Sequence, residues 1–396
     1  MVTTPFASYK MKKAKILLLI VIVLLPLTLA SCSPWGSQSA GGWAGTSVYE
    51  GTVYAGTLDG RVVAVNSSTG NLEWAYSIAP VTSPSSGLSC GDTSIPTAIY
   101  GTPVVDRDLV YIGTYSGEVF ALNTADGEHT WVYPPKGEGY MGAVVGSPVI
   151  ANGIIYTSSS DGKIYALNTS SGKSRWETDR TLADKLWTSP TVVGSTLYVS
   201  TFDGYIYALS LDTGGLLDWS FESDAGFSSP PVIYENAIFV GSFDRHLYAI
   251  EMGGNESKWK FPREEPAGNW FWASPVIGEG IVYAGCLDGL VYAIEAETGE
   301  KLWEFNAEDP IVTSPVIMDD MLIVVDESGT VYVFDLSAEF GGEAAPLRTV
   351  SIGADVRSSF CAQDGLVYIR GEDNRVYALD IDAGVVIWNL NLAVEE

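Results

Sequence analysis

Histidine and basic side chains are scarce in this 396-residue sequence, and each shortage excludes a class of function. The chain has 2 His. It has 21 Lys and Arg against 48 Asp and Glu, which gives a net charge of −27. A surface this acidic repels nucleic acid and anionic lipid headgroups, so a DNA- or RNA-binding role is excluded. His129 and His246 lie apart and form no metal-ligand spacing motif, so we expect no metal site.

Motifs that carry catalysis are also missing. The sequence has no haem-attachment Cys-x-x-Cys-His, no phosphate-binding Gly-rich loop and no Gly-x-Ser-x-Gly. Its many Asp-Gly pairs look like a carboxylate array for calcium, but turn chemistry explains them better, because Asp bonds its own backbone in turns. We therefore expect no catalytic residue and no cofactor.

Cysteine is limited to four residues: Cys32, Cys90, Cys286 and Cys361. If Cys32 carries a lipid, an odd number remains, and at least one thiol stays free. Cys286 stands in an apolar strand pattern and is interpreted as a small buried residue. A bridge between Cys90 and Cys361 requires that the first and last repeats be neighbours, and the sequence leaves this pairing open.

The N-terminal segment has the three parts of an export signal. Basic residues at Lys10–Lys15 precede an apolar run, Ile16–Ala30, which is too short for a comfortable membrane span. The sequence Leu29-Ala30-Ser31-Cys32 then resembles a bacterial lipobox, in which the Cys is lipidated. We expect residues 1–31 to be a lipoprotein signal peptide, whose initiator is Met1 or Met11.

After cleavage, the protein would be anchored by its N-terminal lipid on the periplasmic or extracellular face of a membrane. Residues 32–43 are rich in Gly and Ser and read as a flexible tether. The removed segment holds four lysines and no acid, so the mature chain would carry a net charge of −31. We expect a monomer that touches the membrane through its lipid only.

A repeated unit of about 40–57 residues fills residues 44–396. Each copy has two apolar strands joined by an Asp-Gly-like pair, which predicts a type I′ hairpin turn with positive φ at both central residues. Repeats of this period that contain only strands are typical of propeller blades. The fold is therefore predicted as all-β, an eight-bladed β-propeller of four-stranded antiparallel blades. The pairs are Asp59-Gly60, Ser116-Gly117, Asp161-Gly162, Asp203-Gly204, Asp244-Arg245, Asp288-Gly289, Ser328-Gly329 and Asp373-Asn374.

All four strands of every copy occur in chain order between Ala44 and Leu392, so no strand need be exchanged to close the ring. Closure is then predicted to rest on packing of the last blade against the first. Two places depart from the repeat: the segment Val81–Ile99, and the long turn after Asp335. The sequence does not decide whether these are drift or functional features.

A tryptophan begins the predicted outermost strand in seven of the eight copies. An indole in a fixed place per blade is best explained as a structural wedge between blades, where its N–H finds a carbonyl. These residues are Trp74, Trp131, Trp176, Trp219, Trp259, Trp303 and Trp388.

The phrases AIEAETGEKLW, AVNSSTGNLEW and ALNTSSGKSRW resemble the tryptophan-docking motif of the pyrroloquinoline-quinone-type propeller repeat. The size, lipobox and eight repeats are similar to those of the BamB-like lipoproteins. This resemblance implies a non-enzymatic scaffold that binds protein partners, as in outer-membrane protein assembly. The alternative is a quinone-dependent oxidoreductase on the same repeats. Those enzymes resemble one another in a pair of adjacent cysteines, which this chain lacks.

Aromatic residues fill five of the eight positions that stand three residues before a Ser-Pro or Thr-Pro mark, or before its replacement in the two end copies, where the chain enters its innermost strand. These positions should surround one mouth of the central channel, either as a packed plug or as a partner-binding rim, since aromatics and Arg are enriched at binding hot spots. Arg357 is interpreted as a lone positive group that anchors a carboxylate. The positions are Trp43, Tyr100, Val145, Trp187, Phe227, Trp272, Val312 and Arg357, with Trp270 and Phe271 beside them.

Overall fold

Burial of the strands follows from their place in a stack of sheets. In the copy at residues 276–306, the second strand (Ile281–Gly285) and third strand (Leu290–Glu295) are buried on both faces. The fourth strand (Lys301–Asn306) is largely exposed. A strand buried on both faces reads as a continuous apolar run rather than an alternating one. The inner strands of each sheet therefore lie between two neighbouring sheets, and the fourth lies at the rim.

The computed structural model describes residues 44–79, 81–82, 94–95, 97–139, 141–176, 181–182, 185–254, 256–338 and 341–393. Its regular structure in these residues consists of strands, arranged as eight antiparallel sheets in chain order plus one small hairpin. No helix in this part of the chain has the length and hydropathy of a membrane span.

Blades one to four take the first half of the ring. Blade three has three strands within the described residues, with a bridge from Leu167 to Ser174 where the fourth would run. The strands are β1 (Thr46–Tyr49), β2 (Thr52–Gly56), β3 (Arg61–Asn66) and β4 (Leu72–Ser77); the small hairpin β5 (Val81–Thr82) and β6 (Ser94–Ile95); β7 (Val104–Asp106), β8 (Leu109–Gly113), β9 (Val119–Asn123) and β10 (His129–Tyr133); β11 (Val149–Ala151), β12 (Ile154–Ser158) and β13 (Ile164–Asn168); and β14 (Thr191–Val193), β15 (Thr196–Ser200), β16 (Tyr205–Ser210) and β17 (Leu216–Glu222).

Blades five to eight each have four strands in the order first to fourth. They are β18 (Val232–Tyr234), β19 (Ala237–Gly241), β20 (Leu247–Glu251) and β21 (Ser257–Phe261); β22 (Val276–Gly278), β23 (Ile281–Gly285), β24 (Leu290–Glu295) and β25 (Lys301–Asn306); β26 (Val316–Met318), β27 (Met321–Val325), β28 (Thr330–Asp335) and β29 (Arg348–Ser351); and β30 (Cys361–Gln363), β31 (Leu366–Arg370), β32 (Arg375–Asp380) and β33 (Val385–Asn391).

The first strands of consecutive blades lie against one another around the axis, as β1, β7, β11 and β14 do. Eight apolar clusters fill the spaces between the blades, one for each pair of neighbours. The predicted eight-bladed β-propeller is therefore confirmed.

The ring closes without an exchanged strand. Blades eight and one share an apolar cluster, and the Thr46 N–H donates to the Ser359 carbonyl at 3.1 Å. The Thr46 hydroxyl also donates to the Tyr368 carbonyl at 2.7 Å. Packing and these bonds hold the two ends of the propeller together, as predicted.

The hairpin between the second and third strands differs from the predicted type I′ turn. In blade one the Thr57 N–H donates to the Arg61 carbonyl at 2.9 Å, and the Gly60 N–H donates to the Thr57 carbonyl at 3.2 Å. Gly60 has a φ of 80°, whereas Asp59 is not in the left-handed region. This is the three-residue loop that ends on a left-handed residue. Asp therefore needs no positive φ here, and only the residue after it does.

The long turn of blade seven covers an edge of blade six. The Glu304 N–H donates to the Gly342 carbonyl at 3.0 Å, and the Ala344 N–H donates to the Glu304 carbonyl at 2.9 Å. A free strand edge is a template for unwanted pairing. This departure from the repeat therefore has a structural role, since it occupies part of the outer edge of β25.

Candidate functional site

The seven repeated tryptophans lie on the fourth-strand side of the blades. Six of them occupy the third or fourth position of that strand rather than its first, which corrects the predicted start of the strand, and Trp176 follows the Leu167–Ser174 bridge of blade three. Five of them are at most 8 % exposed, and Trp219 and Trp388 are half-buried. Six indole N–H groups donate to a carbonyl of the next blade: Trp74 to Thr124 (2.8 Å), Trp131 to Thr169 (2.8 Å), Trp176 to Leu211 (3.1 Å), Trp219 to Gly254 (2.8 Å), Trp259 to Ala296 (3.0 Å) and Trp388 to Ser67 (2.8 Å).

Glycines of the next blade lie directly beneath several of these indoles. A Cβ built on Gly172 would stand 2.5 Å from the Trp131 ring, and one on Gly127 would stand 2.4 Å from the Trp74 ring. Gly127 has a φ of 71° and Gly172 a φ of 66°, and both angles lie in the left-handed region that favours glycine. The Gly of the tight turn and the Trp of the preceding blade are thus two halves of one contact.

Blade seven lacks the tryptophan, and Arg348 takes its register position. Arg348 pairs with Val333 as Trp303 pairs with Ala293. Its Nη1 lies 3.9 Å from where a Cβ on Gly384 of blade eight would stand. The contact between blades seven and eight therefore uses an arginine side chain over the glycine instead of an indole.

The recurring positions before the first strands converge at one mouth of the channel. A cavity of about 220 Å³ lies there, and the turns between second and third strands surround it at the same end. Six of the eight positions line it: Tyr100, Val145, Trp187, Trp272, Val312 and Arg357. Trp43 lies outside the described residues, so its predicted place at the mouth stays a prediction.

Phe227 does not lie at the mouth, contrary to the prediction. It is 0 % exposed and packs against Phe221 and Tyr248 between blades four and five. The cause is the tandem Pro230-Pro231: the proline that precedes the strand β18 is Pro231, so three positions earlier is Ser228, and Ser228 does line the cavity.

Phe271 is also buried, at 0 % exposure, and this corrects its predicted place in the rim. It precedes the mouth residue Trp272 by one, and side chains on an extended chain alternate between faces. The same buried position recurs before each mouth residue of the other described blades. Its members are Ile99, Val144, Leu186, Phe227, Phe271, Ile311 and Val356, each 0 % exposed.

A second set of aromatic residues joins the first at the mouth. In blades four and five, the residue before the Asp-Gly-like pair is a phenylalanine, Phe202 and Phe243 respectively. The ring centroids of Trp187 and Phe202 are 5.6 Å apart, and those of Phe202 and Phe243 are 5.2 Å apart. Phe243 contacts Trp270 at 5.2 Å. Sequence reasoning missed these phenylalanines, although the fixed offset from the turn could have found them.

Edge-to-face contacts connect this aromatic cluster across blades four, five and six. The Trp187–Phe202, Phe202–Phe243 and Phe243–Trp270 pairs are all T-shaped, an arrangement that aromatic rings prefer. Trp270 is 40 % exposed, so the cluster reaches solvent. Within the described part of the chain, the buried Trp187 Nε1 has no hydrogen-bond partner.

Arg357 is not a lone positive group, which corrects its predicted role as a free carboxylate anchor. Its Nε donates to Glu327 Oε1 at 2.6 Å, and its Nη1 lies 3.9 Å from Glu372 Oε2. The hydrogen bond to Glu327 raises the pKa of the guanidinium further above its ordinary value. The two glutamates stand directly before the Asp-Gly-like pair in blades seven and eight, where blades four and five have phenylalanine.

A second cavity, of about 280 Å³, opens beside the first. Trp270, Trp272 and Leu287 form its apolar side, and Glu327 and Arg357 form its charged side. Such a cleft, apolar with a few placed polar groups, is typical of a ligand-binding pocket.

The remaining titratable side chains of the described residues include neither a metal-ligand cluster nor a reactive Cys286 thiol. No group of three or more His, Cys, Asp or Glu there is placed to hold a metal ion. Burial raises the pKa of the Cys286 thiol to about 12, so this thiol is a poor nucleophile. Cys361 donates its thiol to the Thr46 hydroxyl at 3.5 Å, and Cys90 lies outside the described residues, so their pairing stays a prediction.

Taken together, the geometry defines a tryptophan-docked eight-bladed β-propeller with an aromatic channel mouth. The profile of the family described as "Outer membrane protein assembly factor BamB" matches residues 35–178, 179–285 and 259–392. The chain belongs to this family.

Individual relatives match a smaller part of the chain. The outer membrane protein assembly factor BamB of Xanthomonas campestris pv. campestris is 36 % identical over 85 residues, which are 22 % of this chain and 19 % of that protein. BamB of Legionella pneumophila is 30 % identical over 87 residues, 22 % of this chain and 21 % of that protein. The matched part thus spans about a fifth of these curated relatives.

Two solved structures share the fold. BamB from Moraxella catarrhalis superposes with a TM-score of 0.61 at 18 % identity, over 89 % of this chain and 95 % of that chain. The computationally designed Ika8 protein superposes with a TM-score of 0.62 at 16 % identity, over 74 % of this chain and 87 % of that chain. At these identities the similarity concerns the fold alone.

Proposed function

We propose that this chain is an exported, lipid-anchored scaffold that binds a protein partner through its channel mouth. The observation that carries the proposal is the cluster of Trp187, Phe202, Phe243, Trp270 and Trp272, which reaches solvent at one end of the ring. Aromatic side chains in a partly exposed cleft bind partners with little loss of conformational entropy.

The family supports a role in assembly rather than catalysis. Its relatives are described as outer membrane protein assembly factors, and we extend to this chain the use of the propeller as a binding platform. The lipobox at Leu29–Cys32 supports attachment to a membrane surface. Fatty-acid label should enter the wild type and not Cys32→Ala; label on both variants would contradict the anchor at Cys32.

Capture of the partner from detergent-solubilised membranes tests the mouth. Trp187→Ala and Trp272→Ala should each weaken capture more than tenfold, about 1.4 kcal/mol, because each removes part of the aromatic cluster. Leu72→Ala is the matched control, since Leu72 is 51 % exposed on the outer strand β4, away from the mouth.

The melting temperature separates the two explanations of a loss of capture. It should change little in both mouth variants, because these side chains are not buried between blades. Unchanged capture with a lowered melting temperature would show that the ring is a plug. Tight binding of pyrroloquinoline quinone with calcium would favour an oxidoreductase instead.

A further inference from the structure

Charge is distributed around the mouth in a way that limits what can bind there. The three-residue turns that surround the aromatic cluster contain Asp or Glu in seven of eight blades, and one Arg, Arg245. Among the described residues, the guanidinium that lines the two mouth cavities is that of Arg357, and it is matched by Glu327 and Glu372. A carboxylate ligand would therefore meet repulsion here, whereas a cation would be attracted.

The aromatic rings favour the same sign of charge. The face of an indole attracts a cation through the quadrupole of the ring, and Trp does so most strongly. One such contact already exists at the mouth: Lys185 Nζ lies 5.5 Å from the centroid of the Trp187 ring. The cavity beside Trp270 and Trp272 combines two indoles with the Glu327 carboxylate.

Arg357 already places a positively charged group in this cavity. It lies against Glu327 at 2.6 Å and lines the same space as Trp272 and Val312. Its side chain is 44 % exposed, so water screens the ion pair and the pair is weak enough to exchange. An incoming basic side chain would compete with Arg357 for the same glutamates.

We propose that the channel mouth binds a basic peptide segment, with a Lys or Arg side chain seated between Trp270, Trp272 and Glu327. This inference rests on the proposed function and specifies the chemistry of the partner. The occupant is chosen by charge complementarity, since an acidic mouth on a molecule of net charge −27 selects a cationic partner.

Fluorescence anisotropy with three labelled octapeptides tests the proposal at physiological salt: alternating Lys-Ala, Glu-Ala and Ser-Ala. The Lys-Ala peptide should bind at least tenfold more tightly than the other two. Glu327→Gln should weaken it at least fivefold, because the carboxylate that meets the Lys amine is lost. Arg357→Gln should strengthen it a few-fold, because the internal competitor is removed.

Two controls separate this site from general attraction to an acidic surface. Glu279→Gln makes the same change at an exposed position on the turn between β22 and β23, at the opposite end of the blade, and should leave affinity unchanged. Trp272→Ala should lower it at least fivefold. Equal losses from Glu279→Gln and Glu327→Gln, or no loss from Trp272→Ala, would overturn the proposal.

The pH dependence of peptide affinity provides a further test. Burial raises the pKa of Glu372 in spite of Arg357 and Arg370, with Asp355 and Glu327 also raising it. As the pH is lowered, Glu372 therefore becomes protonated and neutral at a higher pH than an ordinary glutamate does. Peptide affinity should begin to fall there, and affinity that rises on acidification would contradict a cationic ligand.

Failure of this inference differs from failure of the proposed function. Preference for the Glu-Ala peptide, with binding abolished by Arg357→Gln, would restore a carboxylate ligand and leave the scaffold role intact. Binding of a neutral glucan hexasaccharide that ignores Glu327→Gln would indicate a sugar site instead. Partner capture that ignores Trp187→Ala and Trp272→Ala would contradict the proposed function itself.

Discussion

Tryptophans serve two regions of this propeller in different ways. Between the blades, six repeated indoles donate their N–H to a carbonyl of the next blade, and most are buried. At the channel mouth, Trp270 is 40 % exposed, and the Trp187 Nε1 has no hydrogen-bond partner in the described residues. A satisfied, buried indole is a structural contact, whereas an exposed ring such as that of Trp270 is available to a ligand.

The difference teaches that residue type alone does not assign a role in a repeat protein. Trp259 and Trp272 are 13 positions apart in the chain, yet one lies at 7 % exposure between blades and the other lines the channel cavity. Their roles follow from where each blade presents them. Three pairs of substitutions can break or sharpen this comparison.

Removal of a buried indole should have the largest effect. Trp176→Ala should lower the free energy of unfolding by about 3–5 kcal/mol, because it deletes a large aromatic side chain that is 7 % exposed. Chemical denaturation measures the change. Trp270→Ala, at the mouth, should cost less than about 1 kcal/mol. Equal midpoints for the two variants would erase the distinction between the regions.

The glycine beneath an indole provides the second test. Gly172→Ala and Gly194→Ala both place a Cβ at a left-handed φ, of 66° and 60°, which costs about 1 kcal/mol each. Only Gly172 lies under an indole, with the new Cβ 2.5 Å from Trp131, whereas Gly194 faces open space. Gly172→Ala should therefore cost about 1–3 kcal/mol more in thermal or urea unfolding. Matching losses would mean that the indole moves aside freely.

The smallest effect concerns the indole N–H alone. Trp259→Phe removes the donor to the Ala296 carbonyl at 3.0 Å and should cost about 1 kcal/mol beyond the change in ring size. Trp187→Phe removes an N–H without a partner, so it should lack this additional cost. Urea unfolding of the pair gives the difference, and a larger loss for Trp187→Phe would indicate a missed structural bond at the mouth.

Much of the ring could be read from local chemistry. Asp-Gly-like pairs at a regular period predicted eight hairpins, and consecutive strands predicted closure by packing, as β1 and β30 show. The turn type was wrong because the pair Asp59-Gly60 fits two hairpin loops that differ in the φ of Asp59. The backbone hydrogen bonds of Thr57 distinguish the two loops, and these bonds cannot be read from the sequence.

The mouth was harder to predict, since a shift of one residue moves a side chain to the opposite face. Phe271 and Trp272 are neighbours of similar hydrophobicity, and one is in the core while the other lines the cavity. The tandem Pro230-Pro231 concealed such a shift of one residue, so Phe227 was assigned to the mouth instead of Ser228. The alternation of buried and lining positions becomes visible only when the blades are superimposed in register.

The sequence by itself determined the number of blades, the order of their strands and the places of the repeated tryptophans. It could do so because turns and strand patterns depend on residues near one another in the chain. Only the tertiary structure decided which aromatic rings meet at the mouth and that Arg357 pairs with Glu327, 30 residues away. The physical reason is that neighbouring blades bring together residues that are one repeat apart, and contacts between repeats set both burial and charge.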